Sequence, residues 1–180
     1  MATSNQGGSL AGTSALVTGG ESALGLACAR RLAADGAVVT ICGTAERLLK
    51  ENADAYGMHC VVADVTEEDQ VADAFTTAAA SGPLRIVIAS ARGSASIGPI
   101  ARLNTAGWRA TLDLNATGTM LTLKYAAREM ARVGAGRSWP SHPSPPPRCT
   151  AGSAPTARPT PPSITWWRWR PTNSAGSASG

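Results

Sequence analysis

The sequence predicts an α/β fold, a doubly wound parallel sheet, and three observations carry the prediction. Short continuous apolar runs recur at Ser14 to Thr18, Val38 to Cys42, His59 to Ala63 and Arg85 to Ala89. Helical stretches separate them, and a glycine-rich turn joins the first run to the first helix. Strands that are apolar throughout, rather than alternately, belong to parallel sheets covered by helices on both faces.

Each element has its own local signal. The first strand ends in Gly19-Gly20 and leads into Ala23 to Ala34, rich in Ala and Leu, with Gly36 as a stop. After the second strand, Ala45 to about Ala55 is helical, with Leu48 and Leu49 on its apolar face. Thr66 is the expected cap of the third helix, whose first turn carries Glu67, Glu68 and Asp69, where acids favour the helix dipole. That helix runs to about Ala80, and Ser81-Gly82-Pro83 ends it before the fourth strand. Two further helical segments are expected, from about Thr105 to Leu123 and on to Val133. The expected strand order is 3-2-1-4, the sheet stopping at the fourth strand with Ile86, Val87 and Ile88 on an open edge and low solubility as the consequence.

Composition breaks near Gly136. All 12 acidic residues lie at or before Glu129, whereas 10 of the 12 prolines and four of the five tryptophans follow Gly136. Up to that point 11 Lys and Arg face 12 Asp and Glu; beyond it are five Arg and no acid. The net charge of +4 is therefore a property of the tail and does not support nucleic-acid binding by the whole chain. No leader-like start and no run of about 20 apolar residues is present, so a soluble cytoplasmic protein is expected, with no membrane partner. Cys28, Cys42, Cys60 and Cys149 are scattered singly, and the first three read as small buried apolar residues; no metal-site spacing occurs.

The turn Thr18 to Gly25, TGGESALG, has the chemistry of a phosphate cradle: glycines admit a phosphate to the backbone, and helix N-terminal amides supply donors and partial positive charge. A purely structural strand-to-helix turn is the alternative. With Asp64-Val65 at the end of the third strand and Asn115 in LDLNATGTM, the chain from about Leu10 to Gly136 resembles the short-chain dehydrogenase/reductase family. The resemblance implies a partial Rossmann-like NAD(P)-binding domain over residues 10–136. It implies cofactor-binding roles for Thr18, Gly19, Ser22, Ala23, Leu24, Gly25, Asp64, Val65 and Ala91, and a catalytic role for Asn115. NAD or NADP is the implied cofactor, and a small-molecule alcohol or carbonyl the implied substrate. Asp64 as a strand-end cap and Asn115 as a helix asparagine bonded to a nearby carbonyl are the structural alternatives. The chain departs from the family pattern at three places. Ala23 replaces the middle glycine of the turn, Ser90-Ala91-Arg92-Gly93 stands where the family has Asn-Ala-Gly, and Gly43-Thr44-Ala45 offers neither an acid for a ribose 2'-hydroxyl nor a basic residue nearer than Arg47. The choice between NAD and NADP stays open.

The family's proton-transfer pair, a tyrosine with a lysine four residues on, is missing. Only Tyr56, Tyr125, Lys50 and Lys124 occur, and none has that spacing. His59 in a strand and His142 among prolines have no partners that suggest catalysis. Proline frequency and the lack of any hydrophobic period predict a disordered tail over residues 137–180. The cluster Trp166 to Arg170 suits a partner or membrane surface if the chain is a non-enzymatic binder or scaffold.

The genetic code suggests another origin for the tail. Tryptophan has one codon, so a shifted frame through Trp166-Trp167 gives valine, and the fixed bases that follow permit a sequence like the family's helix after the active-site lysine. The same shift over Ser138 to Pro143 permits Val-Ala-Ile-Ser-Ser. A tyrosine-compatible codon at Pro155/Thr156 follows 13 codons after the second of those serines. The codon four further on, at Pro159/Thr160, never encodes lysine. The tail is thus expected to be out-of-frame sequence from near Arg137, leaving a truncated, inactive oxidoreductase in which an oligomer is doubtful.

Overall fold

A computed structural model describes residues 8–133 and the backbone of residues 137–140. Strands β1 (Ser14–Thr18), β2 (Val38–Gly43), β3 (His59–Val62), β4 (Leu84–Ala89) and β5 (Arg137–Pro140) form one parallel sheet in the order β3-β2-β1-β4-β5. Helices α1 (Ala23–Ala34), α2 (Glu46–Tyr56) and α3 (Glu68–Ala80) connect the first four strands. A 3-10 turn (Ile100–Arg102), α4 (Thr105–Leu112), a π-helical segment (Asp113–Thr117) and α5 (Gly118–Arg132) lie between β4 and β5.

Two cores flank the sheet, as continuous apolar strands require. In β1 the alternation of side chains sends Ala15 and Val17 to one face, with Ala29 of α1 and Leu49 and Ala53 of α2. Leu16 goes to the other, with Val71, Phe75 and Ala78 of α3 and Leu121, Ala126 and Met130 of α5. Phe75, 2% exposed, is the largest fully buried side chain among the described residues. Burial of such a ring contributes about 1.5–3 kcal/mol. Ser14, wholly buried in β1, is satisfied by donating to the Ala78 carbonyl of α3 at 2.6 Å.

The sequence expectations differ from the structure at four places. The sheet does not end at β4: Ile86 to Ala89 pair with Arg137 to Pro140. A parallel edge offers a row of main-chain donors and acceptors, and extended backbone pairs with it whatever its side chains; Pro140 stands at the end of an edge strand, where proline is tolerated. Val87 is accordingly buried and Ile86 and Ile88 half-buried, not exposed on an open edge. The tail expected to be disordered from residue 137 is therefore strand over its first four residues, and from residue 141 on it lies outside the described residues.

Thr66 does not cap α3. Its hydroxyl donates to Asp64 Oδ1 at 2.8 Å, and the helix starts one residue later, with Glu67 at the cap position making no side-chain bond. The two helical segments expected to meet near Leu123 are divided earlier, by the π segment at 113–117. Cys42 is buried as expected, but Cys28 is only half-buried and Cys60 is exposed.

Candidate functional site

The strand order reverses direction between β1 and β4, and at such a switch point the carboxyl ends of the strands open a crevice. The turn from Thr18 to Gly25 sits at this point. Thr18 closes β1, and its Oγ1 accepts from the backbone N–H of Ser90 at 3.0 Å and of Ala91 at 3.1 Å, tying the ends of β1 and β4 together. Gly19 follows at φ 67°, in the left-handed region that favours glycine, and a Cβ there would stand 2.9 Å from the backbone of Ala91. Ser22 caps α1: its Oγ accepts from Gly25 N at 3.1 Å and donates to the Gly19 carbonyl at 2.7 Å. A Cβ on Gly25 would run into the carbonyl of Gly19. Both glycines are thus required by close backbone approach. Ala23 and Leu24 open the helix and are exposed.

The turn is braced toward β2 as well. Gly20 N donates to the Cys42 carbonyl at 3.1 Å, and Asn52 of α2 donates to the Gly20 carbonyl at 3.3 Å. Burial pushes the Cys42 thiol up to about 12, the neighbouring Glu21 carboxylate adding to it.

The other sequence-predicted residues surround this turn with distinct bonding. Asp64 Oδ1 accepts from both the backbone N–H and the hydroxyl of Thr66, so the strand-end turn uses one of its carboxylate oxygens. Val65 is buried, and Gly118 at the start of α5 has no side chain because a Cβ there would meet Val65. Ala91 is half-buried against Gly19. Asn115, within the π segment, donates from Nδ2 to the carbonyls of Gly93 at 2.6 Å and Thr111 at 2.8 Å, and its Oδ1 accepts from Gly93 N at 3.4 Å. Its amide therefore clamps the segment after β4 to the helix layer. The bond to Thr111 is the within-helix contact that the sequence left as an alternative; the bond to Gly93 is not readable from the sequence.

Two residues to which the sequence assigns no role stand beside the turn. Glu21 places Oε1 3.3 Å from Thr44 N at the end of β2 and has a buried, unpartnered Oε2. Ser90, 1% exposed at the end of β4, has an unpartnered Oγ. An acid inside a glycine turn, in a chain whose second strand ends in glycine, is the one sequence signal available for Glu21. The two tyrosines lie elsewhere: Tyr56 ends α2 under Arg30, and Tyr125 in α5 donates to Glu68 at 3.1 Å. Lys124 pairs with the same Glu68 oxygen at 2.6 Å. The segment Trp166 to Arg170 and His142 lie outside the described residues.

A glycine turn capped by serine at the switch point of a parallel sheet covered on both faces defines the class: a doubly wound α/β protein whose ligand crevice lies at the carboxyl edge of its strands. The short chain dehydrogenase family model matches residues 13–137. The chain is 37% identical over 129 residues to a cis-4-hydroxycyclohexanecarboxylate dehydrogenase of Sinomonas cyclohexanicum, covering 68% of this chain and 51% of that protein. It is 34% identical over 135 residues to a D-threitol dehydrogenase of Mycolicibacterium smegmatis, covering 71% and 51%. The structure of a short-chain type dehydrogenase/reductase from Mycobacterium ulcerans superposes with a TM-score of 0.71 at 38% identity, covering 73% of this chain and 51% of that one. This chain belongs to the short chain dehydrogenase family, whose members are oxidoreductases that typically use NAD or NADP on small alcohols or carbonyls. It spans about half the length of the curated relatives it matches. Among the described residues no helix is long and apolar enough to cross a membrane, and no group of three or more His, Cys, Asp or Glu is placed to hold a metal.

Proposed function

We propose that residues 13–137 hold NAD(H) or NADP(H) at the glycine turn, and that the chain as written does not turn over an alcohol or carbonyl substrate. The observation that carries the first part is the Ser22-capped turn, in which backbone approaches backbone so closely at Gly19 and Gly25 that neither position admits a side chain. The buried, unpartnered oxygens of Glu21 and Ser90 on either side fit a polar ligand that enters between β2 and β4. In this reading the amides of Gly19, Ser22, Ala23, Leu24 and Gly25 face the diphosphate, since helix N-terminal donors favour an anion. Thr18 holds the end of β4 so that Ala91 forms a wall, Asp64 and Val65 border the adenine side, and Asn115 positions the loop through Gly93. When bound, the nicotinamide supplies the hydride acceptor or donor.

The second part rests on the residues that would move a proton. Both lysines and both tyrosines lack the family's spacing, and Lys124 and Tyr125 are engaged with Glu68. We read the sequence beyond Arg137 as out of frame with a catalytic half; the end of the family match at residue 137 supports this. The coding DNA tests it: an open frame restored near that codon is the expected result, and stop codons in that frame refute it.

Calorimetry with NADH and NADPH on the whole chain, together with absorbance assays on a panel of secondary alcohols and ketones, tests the function. Binding without turnover is expected. Turnover refutes the inactivity, and a folded chain that binds neither nucleotide refutes the dinucleotide site. In the non-enzymatic alternative the Trp/Arg segment carries the function; removing residues 141–180 would then abolish partner binding, whereas here it leaves nucleotide affinity unchanged.

A further inference from the structure

Strand β2 ends in Gly43-Thr44, so the strand itself supplies no charge at the position, about 20 residues beyond a glycine turn, where dinucleotide-binding sheets set an acid for a ribose 2'-hydroxyl or an arginine for a 2'-phosphate. The structure fills that position from elsewhere. Glu21, in the glycine turn, reaches across to β2. Its Oε1 accepts from Thr44 N at 3.3 Å, and its Oε2 is buried with no partner among the described residues.

The fit to Gly43 is specific. A Cβ built on Gly43 would coincide with the Glu21 carboxylate, and its three nearest atoms all belong to that group. Gly43 is not in the left-handed region, so its backbone does not oppose a side chain. The carboxylate therefore occupies the space that a strand-end side chain at residue 43 would take.

The nearby cation does not reverse the sign. Arg47 is paired with Glu51 at 2.8 Å along α2 and points its guanidinium to solvent, 80% exposed.

We propose that Glu21 supplies from the glycine turn the acid that β2 lacks, and selects a dinucleotide with a free ribose 2'-hydroxyl, NAD(H), against one with a 2'-phosphate, NADP(H). The inference rests on the dinucleotide reading above and deepens it. A carboxylate with an unused oxygen accepts a bond from a hydroxyl, whereas a phosphate of about −1.5 to −2 charge beside it is repelled.

Titration of the whole chain with NADH and with NADPH, followed by nucleotide fluorescence, tests it, with competition by 5'-AMP and by 2',5'-ADP isolating the adenosine half. NADH should bind about tenfold or more tightly than NADPH, the size expected of a hydrogen bond to a charged group. Glu21→Gln keeps the shape and the Thr44 bond and should bring the ratio close to one, chiefly by strengthening NADPH. Glu21→Ala should lose NADH affinity, and adding Gly43→Asp to it, into the vacated space, should restore the NADH preference. A merely structural Glu21 would not give that rescue. Equal or tighter binding of NADPH by the unmodified chain, or a ratio unmoved in Glu21→Gln, overturns the role of Glu21 while leaving the dinucleotide site standing. Binding of neither nucleotide by a folded chain overturns the site, and this inference with it.

Discussion

Thr18→Val tests whether the switch point is held by a single hydroxyl. Thr18 is 2% exposed, and valine matches its shape, so the substitution leaves no cavity. What it removes is an acceptor shared by the N–H groups of Ser90 and Ala91, at 3.0 and 3.1 Å. Ser90 is 1% exposed, so its orphaned amide costs about 1–3 kcal/mol. The half-buried amide of Ala91 reaches water in part and adds about 0.5–1 kcal/mol. The sum, about 2–4 kcal/mol, corresponds for a domain of this size to a melting point lowered by about 6–12 °C. Thr18→Ser keeps the acceptor and loses one buried methyl, about 1 kcal/mol. Urea unfolding monitored by circular dichroism, beside thermal melts, measures both. A valine variant within about 0.5 kcal/mol of the unmodified protein, or a serine variant as unstable as the valine one, refutes the reasoning.

Three further outcomes are expected. Asn115→Ala should cost about 1 kcal/mol and speed hydrogen exchange at Gly93, because the clamp between that loop and the π segment is lost; unchanged exchange there counts against the clamp. Of the three described cysteines, exposed Cys60 should be alkylated by iodoacetamide first and half-buried Cys28 more slowly, since burial raises that thiol. It should reach Cys42, at about 12, only on unfolding, and peptide mapping by mass spectrometry reads the order. The hydrogen bonds from Lys124 and then Tyr125 hold the Glu68 carboxyl below its ordinary value. Its contribution to stability is therefore present above the unfolded value of about 4.3 and lost as pH falls through the lower folded one. The stability gap between the protein and Glu68→Gln should accordingly be steady above about pH 5 and close below about pH 4; a gap that persists into acid contradicts the assignment.

Elements built from local signals were legible in the sequence. β1 and α1 have the expected bounds, since five buried residues followed by a serine-capped, alanine-rich run leave little choice. The glycine turn was legible for the same reason: close approach at Gly19 and Gly25 admits only glycine. What escaped depends on contacts between distant residues or on the main chain alone. Thr66 has a capping side chain, but a carboxylate two residues earlier offers its hydroxyl a charged acceptor and takes it from the helix. Glu21 meets β2 across 23 residues of sequence, and nothing in either segment alone announces the meeting. Asn115 stood out in the sequence, yet its partner Gly93 lies 22 residues away, so the clamp was invisible. β5 was missed because its composition reads as a breaker of structure, while its pairing uses no side chain at all.

That last feature bears on what the sheet asks of the chain that completes its edge. The rungs joining β4 to Arg137–Pro140 are amide to carbonyl, a fastening blind to the alphabet written along it. Four residues of almost any text, delivered in extended form as the helix layer ends, finish the seam. The seam at that edge is therefore set by the path of the backbone rather than by the words it carries.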